Sequence, residues 1–467
     1  MTKKNRTVTD SKGQSYELTG KVGEGGQGIV CTTNYPNVLV KIFRNGSEEK
    51  RNAWWRRIQR LMRQPLEGLP IAHPLVLLKS HTGYVMELMD GLNSLSDVMQ
   101  KADDSMRSDE GLNGYIETGG LLRRLKLLSR LAQILSELHG RGMAYGDISP
   151  ANIFISASVE HAEVWLIDAD NIETQCGDSG QALFTPDYGA PEIIRGDAGI
   201  STLTDCWSYA VLAFRLLVLE HPMKGDAVQD GEAELAEAAQ RGEFPWVDHP
   251  SDHSNSLTRG IPREMVIPPS LRTLFDRTFS AGLSDPSQRP DLSEWYKAIE
   301  DSIGLSLECE DCGSSFIYNS QMTCPFCDHP VASGQVLVMQ EYLYTPPRVL
   351  REGIDEHIPD DIIQEQVFSK TGMSKILSKS PFVIRKVPHD STYYESSEAL
   401  CTLNFNDEGI AVVPQGSADV FLQWSGQKAT AIKRAQTIKS TNRKGKLTGW
   451  LHLGNSDETH FAWHFSW

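Results

Sequence analysis

The chain has 467 residues, 40% of them hydrophobic and 23% charged, too long for one ordinary core and inconsistent with wholesale disorder, collagen or a coiled coil. Its 45 Lys and Arg against 61 Asp and Glu leave a net charge of −16, which argues against a surface that grips nucleic acid or anionic lipid as a whole. The charged start at Met1 to Arg6 has no apolar segment behind it, and no apolar run is long enough to span a bilayer, so a cytoplasmic location with no membrane association is expected.

Short apolar runs separated by Gly and Asn turns predict a small antiparallel sheet, with strands at 16–18, 29–32, 38–43 and 84–88. Ser47, followed by Glu48 and Glu49, predicts the start of a helix running to Met62. Between the first two strands, Gly23-Glu24-Gly25-Gly26-Gln27-Gly28-Ile29-Val30 spells G-x-G-x-x-G-x-V. Glycines let backbone approach phosphate oxygens, and the β-branched strand that follows favours a phosphate-covering hairpin over the strand-to-helix turn of a dinucleotide site. Lys41 lies among apolar residues of the 38–43 strand. Such a lysine either snorkels from an edge strand or neutralises nucleotide phosphates while a carboxylate holds it. Glu49 is the candidate partner, with Glu48 the alternative. The basic helix also carries Trp54 and Trp55 beside Arg56, Arg57 and Arg60, and is read as one packed face and one solvated face rather than as a nucleic-acid site.

Beyond Leu88 the texture turns helical. Leu121, Leu125, Leu128, Leu131, Leu135 and Leu138 recur at helical spacing, and 206–219 is apolar nearly all round, as in a buried helix. The Gly, Ser and Asp-rich stretches 91–120 and 225–259 are expected to be surface excursions. After the leucine-rich helix, Tyr145-Gly146-Asp147-Ile148-Ser149-Pro150-Ala151-Asn152 contains D-x-x-x-x-N, and Asp168-Ala169-Asp170 follows an apolar strand. Phosphoryl transfer needs a carboxylate to take the acceptor proton and oxygen ligands for Mg²⁺. Asp147 suits the first role, and Asn152 with Asp168 the second.

Over about residues 13–303 the chain resembles the eukaryotic-like protein kinases, with the glycine loop, Lys41, Asp147, Asn152 and Asp168 in order. The resemblance implies a two-lobed fold of class α+β, an N-lobe at 13–90 and a C-lobe at 91–303, binding ATP with Mg²⁺ or Mn²⁺. It makes Asp147, Lys41 and Glu49 the catalytic set, and Gly23, Gly25, Gly28, Val30 and Lys41 the phosphate cradle. Met86 stands as gatekeeper, with backbone of Glu87 and Met89 facing adenine. Ala190-Pro191-Glu192 matches the end of an activation segment, and Arg289 is the expected ion-pair partner of Glu192. Departures are specific. Gly146 replaces an arginine that clamps a phosphorylated activation loop, so activity independent of phosphate at Thr174, Ser179 or Thr185 is expected. Ser149 replaces a lysine, Ala169-Asp170 replaces Phe-Gly, and Gln27 replaces an aromatic. With Lys41, Asp147, Asn152 and Asp168 retained, an active serine/threonine kinase is favoured over an ATP-binding pseudokinase scaffold.

Cys309, Cys312, Cys324 and Cys327 form two C-x2-C knuckles eleven residues apart, the spacing of a closed structural Zn²⁺ site in a zinc ribbon at 305–332. Glu308, Glu310, Asp311 and Asp328 around it would repel nucleic acid, so protein docking is expected. Residues 335–467 read as a β-rich, sandwich-like regulatory or docking domain, with Trp424, Trp450, Trp463 and Trp467 in its core. This layout resembles the kinase of a bacterial tellurite-resistance phosphorylation triad. That resemblance implies a von Willebrand factor A-type protein as substrate and a PP2C-type phosphatase as companion.

Overall fold

The computed structural model describes residues 6–24, 28–43, 46–79, 81–174, 184–318, 323–331, 336–351, 363, 365–378, 380–386, 398–416, 418–439 and 448–466. Contacts divide the chain into two compact units, Met1–Arg263 with Leu271–Tyr296, and Glu264–Ser270 with Lys297–Trp467. No helix among the described residues is long and apolar enough to cross a membrane.

The first unit opens with a six-stranded antiparallel sheet. Its strands are β1 (Arg6–Thr9), β2 (Ser15–Glu24), β3 (Gly28–Thr33), β4 (Val38–Phe43), β5 (Val76–Leu77) and β6 (Gly83–Glu87), in the order β1-β2-β3-β4-β6-β5. Val8, Tyr16, Val40, Val76, Leu78 and Val85 form its buried cluster. β1 and β5 are too short and too lightly patterned to stand out in the sequence, and both lie at sheet edges. Helix α1 (Glu48–Leu61) starts where Ser47 accepts a hydrogen bond from the Lys50 N–H at 3.3 Å, with Glu48 and Glu49 in the first turn facing the positive end of the helix. Its buried face is Trp54, Ile58 and Leu61.

The rest of this unit is mainly helical. The helices Gly120–Gly140 and Thr202–Val218 pack together, each burying the apolar positions that the sequence pattern marks. The two stretches expected to be surface excursions are instead part of the body. Within 91–120 lie the helices Leu95–Arg107 and Asn113–Glu117, joined through Ser105, which accepts a hydrogen bond from the Gly114 N–H at 2.9 Å. A side chain at Gly114 would fall 2.7 Å from the Lys101 carbonyl oxygen, so this glycine serves close packing rather than a turn. Within 225–259, buried Asn255 donates to the carbonyls of Met223 and Pro245 and accepts from the Gly225 N–H at 2.8 Å. Trp246 from the same stretch is buried against Phe214 and Phe279. Small and polar residues with buried hydrogen bonds carry the same composition as a loop, which explains the error.

Arg289 makes the expected pair with Glu192, bidentate at 2.7 and 2.9 Å, and also donates to the carbonyls of Gly282 and Leu203. Both side chains are buried, so removal of one leaves an uncompensated charge inside the fold. Arg289→Met is expected to lower unfolding free energy by about 3–5 kcal/mol, read from urea denaturation. Glu192→Gln leaves the buried Arg289 guanidinium charged and turns an amide N–H toward one of its donors, so a loss of similar size is expected.

In the second unit the end of the helix Leu292–Gly304 leads into the hairpin Ser306–Glu308 and Ser315–Ile317. Two antiparallel sheets follow. One orders the strands Phe368–Leu377, Leu337–Tyr344, His460–Ser466, Thr448–His452, Phe421–Trp424 and Thr430–Ala431 side by side. The other orders Phe382–Arg385, Ala399–Asn406, Gly409–Pro414 and Gln436–Lys439. Residues of both sheets, among them Met339, Leu377, Ile384, Leu403, Val412 and Phe465, share one buried core. Trp463 is in that core and Trp424 packs against it. Trp450 departs from the expectation: it lies next to core residue Leu451 in the strand, and alternation turns it to the other face, where it stacks on Phe368 at 4.0 Å. Trp467 lies outside the described residues.

Candidate functional site

Lys41 occupies the middle of the first unit's sheet, opposite Val30 on β3 and Tyr84 on β6. It is 5% exposed. Its ammonium pairs with Asp168 and, at 2.6 Å, with Asp170. Burial alone would lower the lysine's pKa, but the charges of Asp170 and Asp168 outweigh it and raise it, so Lys41 is held charged. The Tyr84 hydroxyl donates to the other Asp170 oxygen at 2.8 Å. Glu49 and Glu48 are exposed in the first turn of α1 and do not make the expected contact with Lys41. The physical reason is that α1 turns Trp54 and Ile58 inward, and it has no carboxylate after Glu49.

The phosphate hairpin is described in part. Gly23 pairs with Val30 across β2 and β3, whereas Gly25, Gly26 and Gln27 lie outside the described residues. A side chain at Gly28 would meet the Ile42 carbonyl oxygen at 2.5 Å, so this glycine lets β3 lie close on β4. At the end of β6, the segment that runs from Glu87 through Met89 is fixed by Asn37, which is left-handed at φ 62°. Its carbonyl accepts from the Leu88 N–H at 3.0 Å, and its side chain from the Asp90 N–H at 2.9 Å. Met86 is buried. Asn37 was not legible as a site residue, because a turn asparagine between strands has no distinguishing neighbours.

The loop after the helix Gly120–Gly140 is fixed from below. Asp205, buried at the start of the helix Thr202–Val218, accepts from the backbone N–H groups of Tyr145 and Gly146 at 2.6 and 2.9 Å, and His139 lies 3.0 Å from it. Gly146 has φ 86°, and a side chain there would meet Ile200 at 2.8 Å and the Asn171 carbonyl oxygen at 3.0 Å. The missing arginine is therefore built into the backbone, since the conformation admits only glycine without strain. The Tyr145 hydroxyl donates to the Ile167 carbonyl, tying this loop to the segment that carries Asp168.

Asp147 uses both carboxylate oxygens. Oδ1 accepts from the Thr185 N–H at 2.9 Å and its hydroxyl at 2.8 Å, and Oδ2 accepts from Asn152 Nδ2 at 2.9 Å. Burial pushes this carboxyl above its usual range, and the bonds from Thr185 and Asn152 offset part of the rise. Asn152 spends only Nδ2 in these contacts, which leaves its carbonyl oxygen as a ligand atom. Asp168 is 28% exposed in its side chain and adopts a left-handed backbone at φ 60°. Two oxygen donors of this kind match the hard-ligand preference of Mg²⁺.

Thr185 enters the site without a sequence signal beyond its hydroxyl. A carboxylate takes up a proton only when ionised, so a rate that depends on Asp147 as base would fall as pH drops through its pKa. Thr185→Val removes a hydrogen bond that favours the carboxylate, so the acid limb of the pH–rate profile is expected to move to higher pH.

In the second unit the sulfurs of Cys309, Cys312, Cys324 and Cys327 all lie within 4.8 Å of one another. Cys309 and Cys327 are 3.6 Å apart, and Cys312 and Cys324 3.8 Å. A tetrahedron with metal–sulfur bonds of about 2.3 Å has edges of about 3.8 Å, whereas a disulfide closes to about 2 Å. Leu307, Phe316 and Ile376 pack around the cysteines.

A small sheet and a helical lobe, with a buried strand lysine paired to the Asp168 segment, which Tyr145 ties to the Asp147–Asn152 loop, define the architecture of a protein kinase. The protein kinase domain family matches residues 16–297, more than half of the chain, and the chain belongs to the eukaryotic-like members of that family. It is 28% identical over 238 residues to the serine/threonine-protein kinase pkn2 of Myxococcus xanthus, covering 48% of this chain and 27% of that one. It is 28% identical over 174 residues to the death-associated protein kinase related of Drosophila melanogaster, covering 34% of this chain and 25% of that one. To the myosin light chain kinase A of Dictyostelium discoideum it is 28% identical over 128 residues, covering 26% and 40%. The chain thus spans well under half the length of these relatives.

Proposed function

We propose that the chain is an ATP-dependent kinase that transfers the γ-phosphate to a serine or threonine hydroxyl of a protein partner. The observation that carries this reading is Asp147, its carboxylate fixed by Thr185 and Asn152 in the same cleft as Lys41 and Asp168. In this reading Asp147 orients the acceptor hydroxyl and takes its proton, and Lys41 neutralises phosphate charge. Asp168 and the Asn152 carbonyl would hold Mg²⁺ or Mn²⁺. A bound divalent ion supplies charge neutralisation at the β and γ phosphates. Serine or threonine as acceptor rests on the named activity of the Myxococcus relative.

Gly146 and Glu173 support activity without activation-loop phosphate. The first leaves no arginine to read such a phosphate, and the second places a fixed carboxylate 3.3 Å from Arg57 of α1. Ser179 lies outside the described residues. The four cysteines would hold a structural Zn²⁺, with the ribbon and the two-sheet core serving to dock partners. The von Willebrand factor A-type substrate and PP2C-type phosphatase belong to this proposal, as does a cytoplasmic setting. The test uses ATP with a tagged γ-phosphate and Mg²⁺ in lysate, comparing wild type with Asp147→Ala and Asp168→Ala. Labelled phosphoserine or phosphothreonine formed by wild type alone supports the reading; equal background in all three supports an ATP-binding scaffold.

A further inference from the structure

Two carboxylates meet one ammonium in the cleft, and their surroundings differ. Asp168 is 28% exposed in its side chain, consistent with the ligand role proposed above. Asp170 is 1% exposed, with one oxygen on Lys41 at 2.6 Å and the other on the Tyr84 hydroxyl at 2.8 Å. Tyr84 is fully buried and its ring stacks on Trp54 of α1, with centroids 6.0 Å apart and planes at 16°. Trp54 also packs against Phe43 of the lysine strand. Protein kinases generally hold this lysine with a glutamate on the N-lobe helix, and helix position then controls activity. Here α1 supplies an apolar wall at that place, and its two acidic residues are exposed.

We infer that Asp170, oriented by Tyr84, is the positioning residue for Lys41 and takes over the task that a helix carboxylate performs elsewhere. The lysine and its buried counter-ion then belong to one rigid arrangement of β4, β6 and the segment after Asp168. The pair is complete without a carboxylate from α1. Tyr84 fixes one Asp170 oxygen, so the other meets the ammonium in a single orientation, and Asp168 remains available at the cleft surface. The inference rests on the kinase reading only for its consequence in catalysis.

A double-mutant cycle on the ligand-free full chain tests it by thermal unfolding. Asp170→Asn is expected to lower the unfolding midpoint in the wild-type background, because it removes the buried counter-ion of Lys41. In the Lys41→Met background the same change is expected to raise the midpoint or leave it unmoved, because it removes a buried charge that has lost its partner. Glu49→Gln is expected to show the same shift in both backgrounds. Equal shifts for Asp170→Asn in both backgrounds, or coupling of Glu49 instead of Asp170 to Lys41, would overturn the inference. The kinetic arm measures transfer and the KM for ATP. Asp170→Asn is expected to reduce kcat/KM at least tenfold in the wild type and by less than twofold in Lys41→Met. If the wild type transfers no phosphate, the kinase reading fails, and the unfolding cycle alone still decides the role of Asp170.

Discussion

Asp147→Asn is expected to slow γ-phosphate transfer by about 10²–10⁴-fold with ATP affinity nearly unchanged, the range associated with losing a positioned general base. That loss corresponds to about 2.7–5.4 kcal/mol of transition-state stabilisation. Asparagine keeps an oxygen that can accept from Thr185, so the loop retains much of its support, while the group can no longer take the acceptor proton. The expected signature is a fall in kcat with little change in the KM for ATP. In the folded protein the neutral amide avoids the burial cost of the carboxylate, but its nitrogen faces the Asn152 Nδ2 donor, so a small loss of stability is expected. A rate within threefold of wild type would remove Asp147 from the base role, and unfolding of the variant would show as a loss of ATP affinity and of the thermal transition together.

The second large effect concerns the four cysteines. Leu307, Phe316 and Ile376 are the buried non-cysteine residues of their cluster. At about 1.5–3 kcal/mol each, these side chains cannot offset ordering of the surrounding segment at about 1–2 kcal/mol per residue. A bound Zn²⁺ contributes on the order of 10–16 kcal/mol in small zinc modules. Stripping metal with a strong chelator is therefore expected to release one equivalent of Zn²⁺ and to abolish amide-exchange protection across the hairpin Ser306–Glu308 and Ser315–Ile317. Cys312→Ser and Cys324→Ser are expected to reproduce it. Full protection after exhaustive chelation, with no metal released, would show that the hairpin stands on its side-chain packing alone.

Local patterns were the part of the fold legible in the sequence. The strand Val38–Phe43 has the expected bounds, and α1 begins after the capping residue that the sequence marks. Apolar periodicity located the helices Gly120–Gly140 and Thr202–Val218. What escaped depends on chain segments that meet only after folding. Lys41 and Asp170 are 129 residues apart, and nothing near either one distinguishes Asp170 from a turn residue, whereas Glu49 stood close by in sequence. Thr185 reaches Asp147 across 38 residues by the same kind of contact. The strand Phe368–Leu377 lies at a sheet edge and carries its polar residues in pairs and runs around a central glycine, so its alternation is weak. The strand that bears Trp450 shows a further limit, since the aromatic content of a strand gives no indication of which face its side chains take.

The most direct measurement is transfer by the purified full chain with ATP carrying a labelled γ-phosphate and Mg²⁺, followed by mass spectrometry of the protein and an added serine- and threonine-rich acceptor. The account predicts label on serine or threonine hydroxyls with the wild type, none with Asp168→Ala, and none when the divalent ion is chelated. Saturable ATP binding by the wild type with no label on any hydroxyl would contradict it.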